Sequence, residues 1–259
     1  MKLLLTNDDG FNARGIRRLY EVLSKKHEVW IMAPAENRSG SSSSISMLKK
    51  MEIQKHGENL YRLGGTPVDC VIAAMRGDFF AGRPDAVISG INEGANLGTD
   101  IVYSGTCGAA RQASLYGVPG IALSVCEKDG KKPECFDAMA DFALENIQYL
   151  MSLCGTLSEK KNEEGLDFFV NVNGLPLKKY DGMSFSSPCR REYHDTATVS
   201  KEREKTFLVI GGCEAIESFG GEDSDYSAVE KNLASVTVLS TMPFSCSSPS
   251  SDLNGGNNV

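Results

Sequence analysis

Strand-length apolar runs alternate with helix-spaced apolar residues through the first 125 residues, and this alternation selects an α/β fold on a mostly parallel, doubly wound sheet. Residues 2–6 (Lys-Leu-Leu-Leu-Thr) read as a short buried strand, after which Ile16, Leu19, Tyr20 and Leu23 recur at helical spacing. Residues 29–33 form a second apolar run. Thr66-Pro67-Val68-Asp69 reads as a helix start: Thr66 can cap, Pro67 suits the first helical position, and Asp69 takes the third. Residues 86–89 and 118–125 are further strands. Between them a helix opens at Ser104-Gly105-Thr106. Residues 135–154 carry Phe136, Met139, Phe142, Ala143, Ile147 and Leu150 on one broad face, which predicts a long amphipathic helix.

The second half changes character. Residues 160–164 are a charged connection, residues 168–172, 207–210 and 234–239 read as strands, and residues 225–231 as one or two helical turns. This part reads as α+β, either a smaller lobe or an extension used for oligomerisation. From Ser245 onward Ser, Asn and Gly dominate, which predicts a disordered tail.

Bulk properties exclude several classes. A formal net charge of -7 argues against a general nucleic-acid binder, so no duplex partner is expected. Met1-Lys2 is not followed by the apolar region of about 7–15 residues that a signal peptide needs. No stretch approaches the roughly 20 apolar residues of a membrane span. The expected address is the cytoplasm, with no membrane partner. The eight cysteines are dispersed without a C-x-x-C pair, and His27, His56 and His194 have no ligand spacing to a cysteine, which argues against zinc.

Chemistry is expected at the carboxyl ends of the strands. Asp8 and Asp9 lie where the first strand runs out. Two carboxylates about 4 Å apart repel by roughly 4 kcal/mol at an effective dielectric near 20, so a shared pocket calls for a cation. The bland reading of Asn7-Asp8-Asp9-Gly10 is a polar turn. Two more turns, Asn37-Arg38-Ser39-Gly40 and Ser89-Gly90-Ile91-Asn92, also follow strands, and alternate turns share one sheet edge. Together they offer two carboxylates, a hydroxyl and an amide oxygen, hard ligands for magnesium, manganese or calcium. Ser39 or Asn92 alone reads as an ordinary turn or loop residue; their joint occurrence raises the site reading. The turn at residues 103–108 adds a helix start, whose free N–H groups suit a phosphate.

These segments resemble the SurE family, the stationary-phase survival proteins, which are metal-dependent 5'/3'-nucleotidases. The matching stretches are T-N-D-D-G at 6–10, A-P and N-R-S-G at 33–40, and G-T-P-x-D-C at 65–70. P-D-x-x-I-S-G-I-N-x-G-x-N-x-G at 84–98 and Y-S-G-T-x-G-A-A at 103–110 complete the set. Weaker matches lie at Asn171-Val172-Asn173, Ser224-Asp225 and Ser235-Val236-Thr237. The resemblance implies a Rossmann-like core and assigns Asp8, Asp9, Ser39 and Asn92 as ligands of one divalent cation per subunit. It places Asn96, Ser104, Gly105 and Thr106 near the phosphate of a nucleoside monophosphate. It also implies a homodimer or homotetramer in which a carboxyl-terminal extension is exchanged. On this basis residues 1–155 form the catalytic core, 156–244 the remaining core strands and oligomerisation extension, and 245–259 the tail.

Two departures stand out. The family's Glu and Gly after the Ser-Gly-Thr turn are Gln112 and Ala113 here, and residues 188–203 follow the family pattern poorly. The expected activity is hydrolysis of nucleoside 5'- and 3'-monophosphates, with Asp8 or Asp9 also the candidate to take a proton from water. Arg38 is a second-rank phosphate candidate. The serines at 41–44 read as a mobile loop near the pocket, and His194 as a surface or packing residue. The alternative function is a metal- and nucleotide-binding module without catalysis. An aspartyl-phosphate phosphatase needs a second Asp two residues on, where Gly10 stands.

Overall fold

In the first strand, β1 (Lys2–Thr6), Leu3, Leu4 and Leu5 are all fully buried, as a continuous apolar run requires when both faces of a sheet are covered. The structure is a computed structural model and describes residues 1–126, 133–155, 165–211 and 216–243. After β1 come α1 (Arg14–Leu23), β2 (Glu28–Pro34), β3 (Ile53–Gly57), β4 (Leu60–Leu63) and α2 (Pro67–Arg76). Next are β5 (Ala86–Glu93), α3 (Asp100–Tyr103), α4 (Gly105–Leu115), β6 (Gly120–Val125) and α5 (Asp137–Leu153). The second half contains β7 (Phe168–Gly174), β8 (Met183–Phe185), β9 (Arg190–Tyr193), β10 (Thr196–Glu202), β11 (Lys205–Gly211) and β12 (Ile216–Phe219). The helix α6 (Asp225–Glu230) and the strand β13 (Ala234–Ser240) complete it.

Nine strands form one sheet in the order β3-β4-β2-β1-β5-β6-β7-β13-β8. All of its pairings are parallel except β3 with β4 and β13 with β7. The sheet is therefore mostly parallel, as the alternation predicts, and β7, β13 and β8 carry it past residue 155. Successive β1 side chains point to opposite faces. Leu3 and Leu5 join Ile16, Leu19, Met139 and Ile147 from α1 and α5, while Leu4 joins Val71 of α2 and Ala109 of α4. Thr66 caps α2 as expected: its hydroxyl accepts from the Asp69 N–H at 3.1 Å and the Asp69 carboxylate accepts from the Thr66 N–H at 2.8 Å.

The connection from β1 through α1 leads to β2 on one side, and β5 lies on the other side of β1. The order reverses there, so the carboxyl ends of β1 and β5 bound a crevice at the topological switch point.

Several local expectations change. The strand expected at 86–89 continues to Glu93, with a register shift between Ser89 and Asn92. Its Gly90-Ile91 bond is cis and Gly90 has φ +142°; a β-carbon there would fall 2.3 Å from the Leu123 carbonyl oxygen, so the irregularity requires glycine. Asn92 thus sits on a strand end, not in a turn beyond it. The hairpin β3–β4 had no clear sequence signal because β3 is an edge strand with three exposed central residues. The long helix begins with a 3-10 turn at Pro133–Phe136. Beyond β9, β10 and β11 pair as an antiparallel ribbon whose Val199, Leu208, Val209 and Ile210 are exposed. The charged connection at 160–164 and the tail at 245–259 lie outside the described residues.

Candidate active site

Asp8 follows β1 and is almost fully buried. Its Oδ1 accepts a 2.6 Å hydrogen bond from the Thr106 hydroxyl, and its carbonyl accepts the Arg38 N–H at 2.6 Å. The second contact ties the loop after β2 to the end of β1. A β-carbon at Gly105 would lie 2.6 Å from Ser41 Oγ and 3.0 Å from Asp8 Oδ2. The first turn of α4 therefore approaches the carboxylate closely because residue 105 lacks a side chain. Burial raises the Asp8 carboxyl above its ordinary range, while the Thr106 hydroxyl and the N–H groups of Thr106 and Gly105 oppose the rise.

Asp9 Oδ2 accepts from the Glu93 N–H at 3.1 Å, which joins the ends of β1 and β5. Burial pushes its carboxyl up to about 7, with the Asp8 and Glu93 charges adding and the Glu93 N–H opposing. Among the described residues no lysine or arginine pairs with either carboxylate. Nor do three or more His, Cys, Asp or Glu among them gather in an arrangement that could hold a metal by themselves, so neutral oxygens would have to complete a ligand set. Two adjacent carboxylates held without a cationic side chain, with neutral oxygens nearby, fit a hard divalent ion.

A cleft of about 680 Å³ opens at this sheet edge and is lined by Asp8, Ser39, Asn92, Asn96 and Ser104 among others. Asn92 Nδ2 donates to the Gly94 carbonyl at 2.9 Å, which leaves its amide oxygen for the cleft. Ser39 is exposed, its N–H held by Asn37 Oδ1 at 2.9 Å. Ser104 is the N-cap of α4 and its hydroxyl accepts the Cys107 N–H at 3.0 Å. Asp9, Gly105 and Thr106 do not line the cleft. Asp9 is turned to the Glu93 backbone, and Thr106 is fully buried with its hydroxyl committed to Asp8.

Asn96 proves to be part of a buried amide cluster. Its N–H donates to Asn173 Oδ1 at 2.8 Å, its Nδ2 to Ser124 Oγ at 2.7 Å, and its carbonyl accepts Asn171 Nδ2 and Asn173 Nδ2 at 2.8 and 3.1 Å. The two asparagines at the end of β7 thus hold the loop after β5. Asp225 does similar work: Oδ2 accepts the Gly98 N–H at 2.7 Å and Oδ1 the Cys189 N–H at 2.9 Å. Both features coincide with the weak carboxyl-half matches, which signalled them without saying what they hold.

Sequence reasoning missed the wall contributed by β9. Arg191 and Tyr193 line the cleft together with Asp100, and both donate to the Asp100 carboxylate. These residues fall in the segment that follows the family pattern poorly. The serine-rich loop is pinned: Ser42 donates from its N–H to the Tyr103 carbonyl at 3.0 Å and from its hydroxyl to the Val102 carbonyl at 2.7 Å. His194 is exposed, 3.2 Å from Glu217 and away from the cleft. Gln112 is half-buried on α4 and does not line the cleft, and neither does Arg38.

The family model for the survival protein SurE matches residues 3–195. The chain belongs to the SurE family. It is 36% identical over 242 residues to a 5'-nucleotidase SurE of a Polaromonas species, which covers 92% of this chain and 91% of that one. It is 40% identical over 184 residues to the 5'-nucleotidase SurE of Treponema pallidum, covering 70% and 93%. The crystal structure of the SurE protein from Aquifex aeolicus superposes with a TM-score of 0.75 at 31% identity, covering 93% of this chain and 94% of that one. The SurE match takes in every candidate residue and β9, and ends before β10.

Proposed function

We propose that this SurE-family chain is a divalent-metal-dependent phosphomonoesterase that hydrolyses nucleoside 5'- and 3'-monophosphates. The observation that carries the reading is the convergence of Asp8, Ser39, Asn92 and the α4 N-cap Ser104 on one cleft at the switch point of the sheet. The relatives named 5'-nucleotidase SurE support it.

Asp8 and Asp9 supply the negative charge for one divalent cation per subunit, and Ser39 and Asn92 supply neutral oxygens. The donor set suits magnesium, manganese or calcium. Held by these residues, a divalent ion would supply Lewis-acid charge toward a phosphoryl oxygen and would make water easier to deprotonate. The chain's own work is placement. Thr106 holds Asp8 in one rotamer. The start of α4, whose N-cap Ser104 lines the cleft, offers its positive partial charge to phosphate oxygens. Asn96, fixed by Asn171 and Asn173, forms the floor of the loop beside it. Asp8 or Asp9 accepts the proton of the attacking water. Alignment of water and leaving group, with charge neutralisation, accounts for most of what phosphoryl transfer needs.

The active form is a homodimer or homotetramer in the cytoplasm. The exposed apolar residues of the β10–β11 ribbon, Val199, Leu208, Val209 and Ile210 among them, support an oligomerisation extension within residues 156–244.

The test is hydrolysis of a nucleoside monophosphate panel in magnesium, manganese and calcium, with and without chelator, for wild type and Asp9→Asn. Metal-dependent phosphate release that Asp9→Asn abolishes is expected. Activity indifferent to chelator or to that variant sinks the metal assignment. Binding without turnover in any metal leaves the binding-module alternative.

A further inference from the structure

We propose that Arg191 is a substrate-contacting residue of this cleft, the side chain that grips the phosphate dianion together with the α4 helix start; this rests on the nucleotidase reading above. The charge balance of the cleft calls for such a group. Among its described lining residues Asp8, Glu93, Asp100 and Asp195 are acidic, and Arg191 alone is cationic. A divalent ion neutralised by two carboxylates leaves the dianion of a phosphate monoester without a full counter-charge. Glu93 is already engaged by Arg14 at 2.8 Å.

Arg191 is also preorganised. Arg191 Nη1 donates to Asp100 Oδ2, and the Tyr193 hydroxyl donates to Oδ1 of the same carboxylate. The Arg191 and Asp100 side chains are 11% and 9% exposed, so the guanidinium is fixed at the wall and still reaches the cleft. Its backbone is clamped as well: the Arg191 N–H donates to Thr99 Oγ1 at 2.7 Å, and that hydroxyl donates to the Arg191 carbonyl at 2.8 Å.

The side chain has donors enough for both partners. A guanidinium carries five N–H donors in a planar fork that matches phosphate oxygens. Nε is buried with no hydrogen-bond partner. Nη1 donates to Asp100, so the remaining Nη hydrogens are the ones a phosphate in the cleft can take. Finally, Asp100 opens α3, and its carbonyl accepts the N–H of Ser104, the α4 N-cap, at 3.0 Å. One residue thus positions both the cation and the helix start.

The experiment uses the full chain with manganese. Inorganic phosphate is titrated by calorimetry into wild type, Arg191→Met and Arg191→Lys, and KM is measured on a nucleoside 5'-monophosphate. Loss of charge-assisted hydrogen bonds predicts phosphate Kd and KM raised about tenfold or more in Arg191→Met, with manganese affinity unchanged. Arg191→Lys keeps the charge without the fork and falls between the two. If Arg191 only braces β9 against α3, Arg191→Met lowers the melting temperature but binds phosphate as wild type does, and the proposal fails. Should Arg191→Met not fold, wild-type phosphate affinity in Arg191→Lys overturns it equally. Failure of manganese-loaded wild type to bind phosphate overturns it too. Arg191-dependent phosphate binding without hydrolysis of any nucleotide defeats the nucleotidase reading and leaves this assignment standing.

Discussion

The Thr106 hydroxyl donates a 2.6 Å hydrogen bond to Asp8 Oδ1, joining the first turn of α4 to the end of β1 across 98 residues of sequence. Under the proposed metal assignment, it leaves Asp8 Oδ2 as the oxygen for a cation. Partners of this kind are worth about 10–100-fold in metal affinity or activity. Thr106→Val is therefore expected to weaken manganese binding and kcat/KM by at least about tenfold, whereas Thr106→Ser retains most of both. Calorimetry and initial rates measure this; equal loss in the two variants would contradict the orientation role.

Asp9 gives a pH prediction whose sign follows from linkage. In the metal-free protein burial raises its carboxyl from 3.8 to about 7. Between those values the folded state holds a proton that the unfolded chain releases. The metal-free protein therefore loses stability as pH rises through that window. Because the ligands must be deprotonated, metal affinity changes the opposite way, rising with pH until about pH 7. Chelator-treated wild type compared with Asp9→Asn in urea melts at pH 5 and pH 7.5 isolates the contribution. A wild-type advantage that grows with pH would refute it.

Asp225 is fully buried and accepts the N–H groups of Gly98, Cys189 and Tyr226. Asp225→Ala strands three donors and is expected to cost about 3 kcal/mol or more, since each bond to a charged group contributes roughly 1.5–3 kcal/mol. The midpoint of urea unfolding reads this out. Because Gly98 and Cys189 lie one and two residues before Thr99 and Arg191, which line the cleft, KM should rise alongside; an unshifted midpoint is the contrary result.

Gln112 stands where the family has Glu, yet it is half-buried on α4 outside the cleft. Gln112→Ala is expected to keep kcat/KM within about twofold and stability within about 0.5 kcal/mol, as for a substitution away from special features. A tenfold loss in the same nucleotide assay would show that this position supports the site.

Much of the core was legible because it depends on local pattern. The apolar run of β1, the helical spacing of α1, the Thr66–Asp69 cap and the amphipathic α5 each announce themselves within a few residues. β3, β8 and β9 did not, since short edge or half-exposed strands carry little alternation. The site was legible in part. Asp8, Ser39, Asn92 and Ser104 follow from turns at strand ends, and the SurE resemblance named the same positions. Asp9, Gly105 and Thr106 were named as well; Asp9 Oδ2 accepts the Glu93 N–H, the Thr106 hydroxyl donates to Asp8, and Gly105 lies against the Asp8 side chain.

The sequence by itself determined the alternating α/β pattern, the acidic turn after β1 and the family, because each is written in residue types at short spacing. Only the tertiary structure decided that Thr106 serves Asp8, that Asn171 and Asn173 hold Asn96, and that Arg191 stands in the cleft braced by Asp100. Those partners are 75–98 residues apart, with Asp8 and Thr106 separated by 98 and Arg191 and Asp100 by 91. Side-chain hydrogen bonds act over about 3 Å, so their pairing exists only once the sheet has brought distant strand ends to one edge.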